Sequence, residues 1–232
     1  MKPVKILFIS ASPNINGNTA TLMHWVEEGV KDSGGLTEWI DLKGKAIHYC
    51  SGCNTCLKTG ECVHDDYIQI LKQKIDESDG LVVGSPVYEG HPCAQMKTVM
   101  DRFALFCLYM GIFDEKWAVG VSTSGIAPTA KTAKDCTDIF GKRSGIITSK
   151  TVKMKTGYFD LDKQSCSKLY SKARKTGKTL VSDILSNPMF SPGVIKSKWI
   201  AFLRKNFLKK LILKNPEIFA GVIKEWETRK WL

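Results

Sequence analysis

Five short apolar runs, each followed by a polar loop and a helical pattern, constrain this chain more than any other feature. Val4-Lys5-Ile6-Leu7-Phe8-Ile9 is apolar and β-branched, as a strand buried on both faces must be. Residues 36–42 form a second, more polar run that suits a sheet edge. Residues 80–84, 117–121 and 145–148 supply the third, fourth and fifth. Helical periodicity fills the intervals. Leu22, Met23, Val26 and Val30 share one face of the first helix, which stops at Gly34-Gly35. Further helices are expected over 65–78, 93–109, 130–140 and 162–185. Such alternation without internal repeats predicts an α/β fold with a doubly wound, five-stranded parallel sheet. Right-handed crossovers then bring the loops after the first four strands to one end of the sheet.

Those loops are unusual. Ser10-Ala11-Ser12-Pro13-Asn14-Ile15-Asn16-Gly17-Asn18-Thr19 carries hydroxyls and amides between a strand and a helix. Backbone N–H groups and a helix N-terminus in that setting bind phosphate. The loop lacks the Gly-Lys-Ser/Thr ending of a Walker loop and the Gly-x-Gly-x-x-Gly of a dinucleotide fold. It suits a terminal phosphomonoester, and an ordinary well-capped turn is the bland alternative. Ser85-Pro86-Val87-Tyr88-Glu89-Gly90 reads as a rigid turn presenting an aromatic ring, and the fourth strand ends in Ser122-Thr123-Ser124-Gly125.

The loop after the second strand, residues 49–63, holds Cys50, Cys53, Cys56 and Cys62 in the spacing Cys-x2-Cys-x2-Cys-x5-Cys. Ser51, Gly52, Asn54, Thr55, Lys58, Thr59 and Gly60 make it too polar for a core. Structural zinc usually joins two knuckles a dozen or more residues apart. One compact loop with two successive x2 gaps resembles a cubane iron–sulfur site instead. Zinc, free thiols and a redox disulfide remain open at this point. His48 and His64 flank the loop, as surface histidines or alternative ligands. His91 follows the Tyr88 turn and could face a substrate. Cys93, Cys107, Cys136 and Cys166 stand at no ligand spacing and read as core or surface thiols.

No signal peptide is visible before the first strand, and no apolar run approaches the roughly 20 residues that span a bilayer. With eight cysteines, this points to a reducing, cytoplasmic setting. The net charge of +11 is concentrated in residues 188–232, where ten Lys or Arg face three Glu. The body lacks a basic stripe or nucleic-acid motif, so no nucleic-acid partner is expected. Residues 1–187 therefore form the main domain and 188–232 a basic helical extension. In the extension, Ile195, Trp199, Phe202, Leu203, Phe207 and Leu211 recur at helical spacing among lysines. A second helix follows Pro216 with Ile218, Phe219, Val222, Ile223 and Trp226. Packing on the domain or on a neighbouring subunit is the favoured reading of this pair. Contact with an anionic membrane surface is the alternative.

Four groups of residues together resemble the flavodoxin-like NAD(P)H-dependent FMN reductases, and among them the iron–sulfur flavoproteins. They are Ser10-x-Ser12-Pro13 with Gly17-Asn18-Thr19; Gly84-Ser85-Pro86-Val87-Tyr88; Lys97 with Asp101-Arg102; and the cysteine loop continuing to Asp65-Asp66. The match covers about residues 3–185, in the family's order. It implies that Ser10, Ser12, Asn14, Asn18 and Thr19 hold the FMN phosphate. Pro86, Val87 and Tyr88 would line the ribityl chain and ring, with Ser122, Thr123, Ser124 and Gly125 approaching from the other side. The family often carries a more glycine-rich stretch at this last position. The resemblance also implies a [4Fe-4S] cluster on Cys50, Cys53, Cys56 and Cys62, and NAD(P)H or a redox protein as donor. No side chain is implied as catalytic, because the chemistry lies on FMN. A homodimer or homotetramer serving a redox partner or a small-molecule acceptor is expected. The rival readings are a cluster-free quinone or nitro-compound reductase, a non-enzymatic flavodoxin-like electron carrier, and a zinc-stapled module.

Overall fold

The computed structural model describes residues 3–150, 152–153, 157–158, 160–188 and 192–232. Strand β1 (Lys5–Ser10) is buried at every position after Lys5. Helix α1 (Asn18–Asp32) buries Leu22, Met23, Val26 and Val30, the face read from periodicity. Strand β2 (Leu36–Asp41) follows. The cysteine loop then forms one short helix, α2 (Thr55–Thr59), before α3 (Tyr67–Glu77). Strand β3 (Gly80–Tyr88) turns back as β4 (His91–Pro92) through Glu89 and Gly90. Both turn residues have positive φ, 49° and 78°, as a tight two-residue hairpin requires. Helix α4 (Ala94–Leu105) runs on into a π-helical turn, Phe106–Met110. Strand β5 (Trp117–Ser124), helix α5 (Thr129–Asp138), strand β6 (Lys142–Lys150) and helix α6 (Ser167–Ser186) complete the body. A small antiparallel pairing joins Val152–Lys153 to Gly157–Tyr158.

The five long strands pair in parallel in the order β2-β1-β3-β5-β6, with the polar β2 at an edge as its composition requires. Side-chain alternation divides the core in two. Ile6, Phe8, Val82, Val119 and Val121 pack with α1 and α6 on one face. Leu7, Ile9, Leu81, Val83 and Ala118 pack with α3 and α4 on the other. This is the doubly wound arrangement expected from the alternation. Gly84 is needed at its centre, because a Cβ there would stand 2.1 Å from the Met23 sulfur of α1.

Three strands run further than their apolar runs: β3 and β5 at their C-terminal ends and β6 at both. Serine and threonine continue the pairing, with Ser85 opposite Ser122 and Pro86 opposite Thr123. The hydroxyl segments read as loops are therefore strand ends. The last body helix starts at Ser167 rather than near 162, because Asp162 Oδ1 accepts the N–H groups of Gln164 and Ser165 (both 2.9 Å) and forms a turn first.

In the extension, α7 (Pro192–Leu203), a π turn (Arg204–Leu208) and α8 (Lys209–Lys214) form one continuous helix. Helix α9 (Ala220–Thr228) then folds back. Ile212, Phe219, Val222 and Trp226 are buried in the α3/α4-side core. The pin is Arg204, which donates to the carbonyl oxygens of Leu108 (2.9 Å) and Cys107 (2.8 Å) and pairs with Asp114. The π turn presents these two carbonyls to the guanidinium, and the Cys107 oxygen accepts the Gly111 N–H (3.2 Å) as well.

Candidate functional site

At the C-terminal end of β1 the chain turns through Ser12 and Asn14. Ser12 Oγ donates to the Asn14 carbonyl (2.9 Å) and accepts the Asn14 N–H (3.2 Å). The Gly17 N–H closes onto the same Asn14 carbonyl (3.1 Å). Gly17 leads into α1 in an extended conformation, and no side chain caps the helix. The first-turn N–H groups thus point at the loop without a side-chain acceptor. Ser10 Oγ, fully buried, has no hydrogen-bond partner either. Thr19 and Thr123 share a buried hydroxyl–hydroxyl bond of 2.7 Å that joins the α1 start to the end of β5. Asn18 is used structurally as well, its Oδ1 accepting the Leu161 N–H (2.7 Å).

Adjacent strand ends bring the other predicted residues alongside. Ser85 Oγ accepts the Cys93 N–H (3.0 Å), and the Cys93 thiol donates to the Ala11 carbonyl (3.0 Å), so the α4 start is clipped to the phosphate-type loop. Cys93 is a buried packing thiol, as its spacing suggested. Tyr88 is exposed at the hairpin beside His91, its partner in the β3/β4 pairing. Ser122, Thr123 and Ser124 are buried in β5; the Ser122 hydroxyl lacks a partner, and Ser124 donates to the Ala127 carbonyl (2.6 Å). Gly125 follows at the surface turn. Three strand ends thus gather the twelve residues at one edge, with an uncapped helix start and orphaned buried hydroxyls. A phosphate ester carrying a flat, partly polar ring fits that donor set.

The four loop cysteines line one small cavity of about 20 Å³, together with His64, Arg102 and Phe106. Cys50 and Cys53 are exposed; Cys56 and Cys62 are half-buried. The Thr55 hydroxyl, followed by the Thr55 and Ser51 groups, lowers the Cys53 thiol to about 7. Burial pushes Cys56 up, reinforced by the neighbouring Cys62 thiol. Among the described residues, no three His, Cys, Asp or Glu side chains converge tightly enough to hold a single metal ion.

This cavity is held from beneath by a hub the sequence reading left without a role. Arg102 is fully buried and grips Asp66 with two bonds, 2.7 and 3.1 Å, while donating to the His48 carbonyl (2.7 Å). Asp66 also accepts the N–H groups of His48 (2.9 Å) and Ile68 (3.1 Å) and caps α3 in a reciprocal box with Gln69. Burial opposes ionisation of Asp66, but Arg102 and these N–H groups prevail and hold its carboxyl well below the usual range. Asp66 followed three residues later by Gln69, ahead of an apolar run, is a capping-box signature that could have revealed it. His48 is occupied by Asp66 and stacks on His64 at 5.2 Å. His64 Nε2 and Arg102 Nε are buried without partners, leaving two orphaned nitrogens on cavity-lining side chains. Four thiols, the unused Arg102 Nε–H and an unpaired His64 nitrogen suit a sulfur-rich anionic group.

The cysteine cavity does not sit at the sheet edge itself. It lies beside Asp101, Arg102, Leu105 and Phe106, about 14 Å along α4 from the Cys93 clip, at 1.5 Å per residue. Helix α9 packs against the end of α2 in the same arm: a Cβ on Gly221 would stand 2.1 Å from the Gly60 nitrogen.

A family model described as NADPH-dependent FMN reductase matches residues 4–160. An iron–sulfur flavoprotein of Methanocaldococcus jannaschii is 43% identical over 100 residues, 43% of this chain and 51% of that protein. The chain thus spans about half the length of the archaeal relatives it matches. An iron–sulfur flavoprotein of Clostridioides difficile is 25% identical over 227 residues, covering 96% of this chain and 97% of its own. Among solved structures, a flavone reductase aligns with TM-score 0.59 at 18% identity, over 79% of this chain and 64% of that one. An NAD(P)H:quinone oxidoreductase from Methanothermobacter marburgensis aligns with TM-score 0.57 at 16% identity, over 77% and 96%. Those two likenesses speak to the fold. With the strand-end site and the family model in agreement over the same residues, the chain belongs to the NADPH-dependent FMN reductase family.

Proposed function

We propose that the protein is an FMN-dependent oxidoreductase that moves electrons between a flavin at the sheet edge and an iron–sulfur group on Cys50, Cys53, Cys56 and Cys62. NAD(P)H or a reduced carrier protein is the donor, and a redox protein or small molecule the acceptor. The observation that carries this reading is the cysteine cavity: four thiols face one space, and the Arg102 and His64 nitrogens beside it have no other use. The names of the archaeal and clostridial relatives support the same assignment. A [4Fe-4S] cluster fits the compact spacing better than zinc, whose structural sites usually join two knuckles a dozen or more residues apart. The cavity has room for about one water, so a cluster held by these four cysteines would need the exposed arm around Cys50 and Cys53 to open.

FMN supplies the hydride and single-electron chemistry when bound. The chain's own residues bind and orient it. The α1 start and the Ser10, Ser12 and Thr19 hydroxyls would hold the phosphate, with Asn14 and Asn18 shaping the loop. Pro86, Val87 and Tyr88 would flank the ring on one side and Ser122, Thr123, Ser124 and Gly125 on the other. Arg102, buried and paired with Asp66, sets its guanidinium against the cavity that the four cysteines line. Cys53, poised near neutrality, loses its proton most readily of the thiols with a resolved shift.

Anaerobic purification followed by absorption spectroscopy and iron and sulfide analysis tests the assignment. Flavin bands plus a broad iron–sulfur shoulder are expected, and rapid mixing with NADH and NADPH identifies the donor by bleaching. Cys53→Ala should lose iron and keep flavin. Zinc in place of iron, or a colourless protein, would sink the reading.

A further inference from the structure

The continuous helix of α7 and α8, residues 192–214, is about 34 Å long and has two apolar sides. The inward side is used: Val194, Arg204 and Ile212 are buried against the body. The outward side is uncovered. Ile195, Trp199, Phe202, Phe207 and Leu211 are between 46% and 65% exposed. They form one contiguous ridge, with Trp199 stacked on Phe202 at 5.6 Å and Phe202 edge-on to Phe207 at 6.5 Å. An exposed ridge of this size marks a contact surface rather than scattered surface apolarity.

Charge decides the occupant. Residues 189–216 contain seven Lys or Arg and no acid. Lys198, Lys205 and Lys209 line the cleft of about 610 Å³ between this helix and the body, together with Lys142 and Lys230. The acids of that cleft are engaged, Asp114 by Arg204 and Glu115 by Lys142. Glu225 of α9 is engaged by Arg229. Lys210 and Lys214 are exposed at the far end. A second copy docked across a two-fold axis would bring seven cations against seven. An anionic surface meets no such repulsion, and aromatic and aliphatic side chains with interspersed lysines are what an interfacial helix presents. No helix among the described residues is long and apolar enough to cross a membrane, so the helix would lie on the surface.

We propose that the outward side of α7 and α8 docks the protein on an anionic lipid surface, with Trp199, Phe202 and Phe207 entering the interface and the lysines pairing with headgroups. The test is flotation of the full-length, flavin-loaded protein with vesicles of equal parts phosphatidylcholine and phosphatidylglycerol, against phosphatidylcholine alone. Binding to the mixed vesicles only, weakening at high salt, is expected. Trp199→Ser with Phe202→Ser should reduce binding at least roughly tenfold. Lys210→Gln with Lys214→Gln, both exposed and outside the cleft, should cost about fivefold per charge. Both pairs lie away from the flavin and cysteine sites, and an unchanged flavin spectrum and melting temperature would show that the fold is intact. Absence of flotation, or flotation indifferent to the aromatic pair, overturns the proposal. So does a wild type that ignores vesicles yet drops to monomer, by light scattering, on Trp199→Ser, because the ridge would then join copies of this chain.

Discussion

The two ends of α4 hold two sites built in opposite ways. At its start, the flavin-type edge is made of strand ends, and parallel registry alone sets Ser10 beside Gly84 and Pro86 beside Thr123. Further along, the cysteine arm has no strand to carry it. It hangs between a buried ion pair from residues 36 apart, Asp66 and Arg102, and a glycine contact with the last helix. A site on strand ends comes with the fold. A site on a loop depends on a few distant clamps, and each clamp is a place where the two sites can be separated by experiment.

The sharpest separation comes from Arg102→Ala. It leaves the Asp66 carboxylate buried and unpaired and removes the donor to the His48 carbonyl. Losing one partner of such a pair costs about 3–5 kcal/mol. The urea midpoint should fall accordingly, and purified protein should hold little iron. Flavin should remain in the folded fraction, since nothing at the sheet edge touches this pair. Flavin lost in step with iron would show that the two sites are one.

Acid should break the same clamp more gently. The Asp66 carboxyl titrates below its ordinary range in the folded protein. Its contribution is therefore complete above the unfolded value of about 3.9 and is lost as pH falls through that value toward the folded one. Asp66→Asn should be less stable than the parent by roughly 2–3 kcal/mol at neutral pH. The gap should begin to narrow as pH falls below about 4 and close only as pH approaches the depressed folded value. A gap independent of pH would mean that the carboxylate's charge plays no part.

Gly221→Ala tests the opposite clamp. The added methyl would press within 2.1 Å of the Gly60 nitrogen and 2.7 Å of the Thr59 carbonyl carbon, both backbone atoms. Either α9 or the α2 turn must shift, at about 1–3 kcal/mol. Thiol labelling of the half-buried Cys56 and Cys62 in the apoprotein should accelerate and iron retention should drop, with the flavin site unchanged. Equal labelling rates would show that α9 merely lies nearby.

How much of this was legible followed from range. The five parallel strands, the edge position of β2 and the hydroxyl-bearing segments at one end of the sheet follow from local periodicity, composition and the right-handed crossover, so they could be read directly. The strand ends at Tyr88 and Ser124 were read short, because serine and proline look like loop residues although the neighbouring strand pairs with them. The cysteine spacing announced a site. Its placement partway along α4, and its dependence on Arg102, Asp66 and Gly221, come from contacts across 36 to 161 residues, which no local pattern encodes. Likewise, the apolar repeat of the tail helix could not say which of its sides would be covered.

The smallest effect has the opposite sign and bears on the strand-end site. Ser10 Oγ is fully buried and bonds to nothing. A buried hydroxyl without a partner costs about 1–3 kcal/mol relative to an apolar group of similar shape. The strand registry around it does not depend on that oxygen. Ser10→Ala should therefore leave the apoprotein as stable as its parent or up to about 1 kcal/mol more so. If the hydroxyl is kept for the flavin phosphate, the same variant should bind FMN less tightly, by about tenfold for one hydrogen bond to a charged group. Stability gained while affinity is lost would identify Ser10 as a binding group built in at the expense of the fold. Stability lost together with affinity would mean that its hydroxyl supports the edge itself, and the flavin site would then need clamps of its own, as the cysteine arm does.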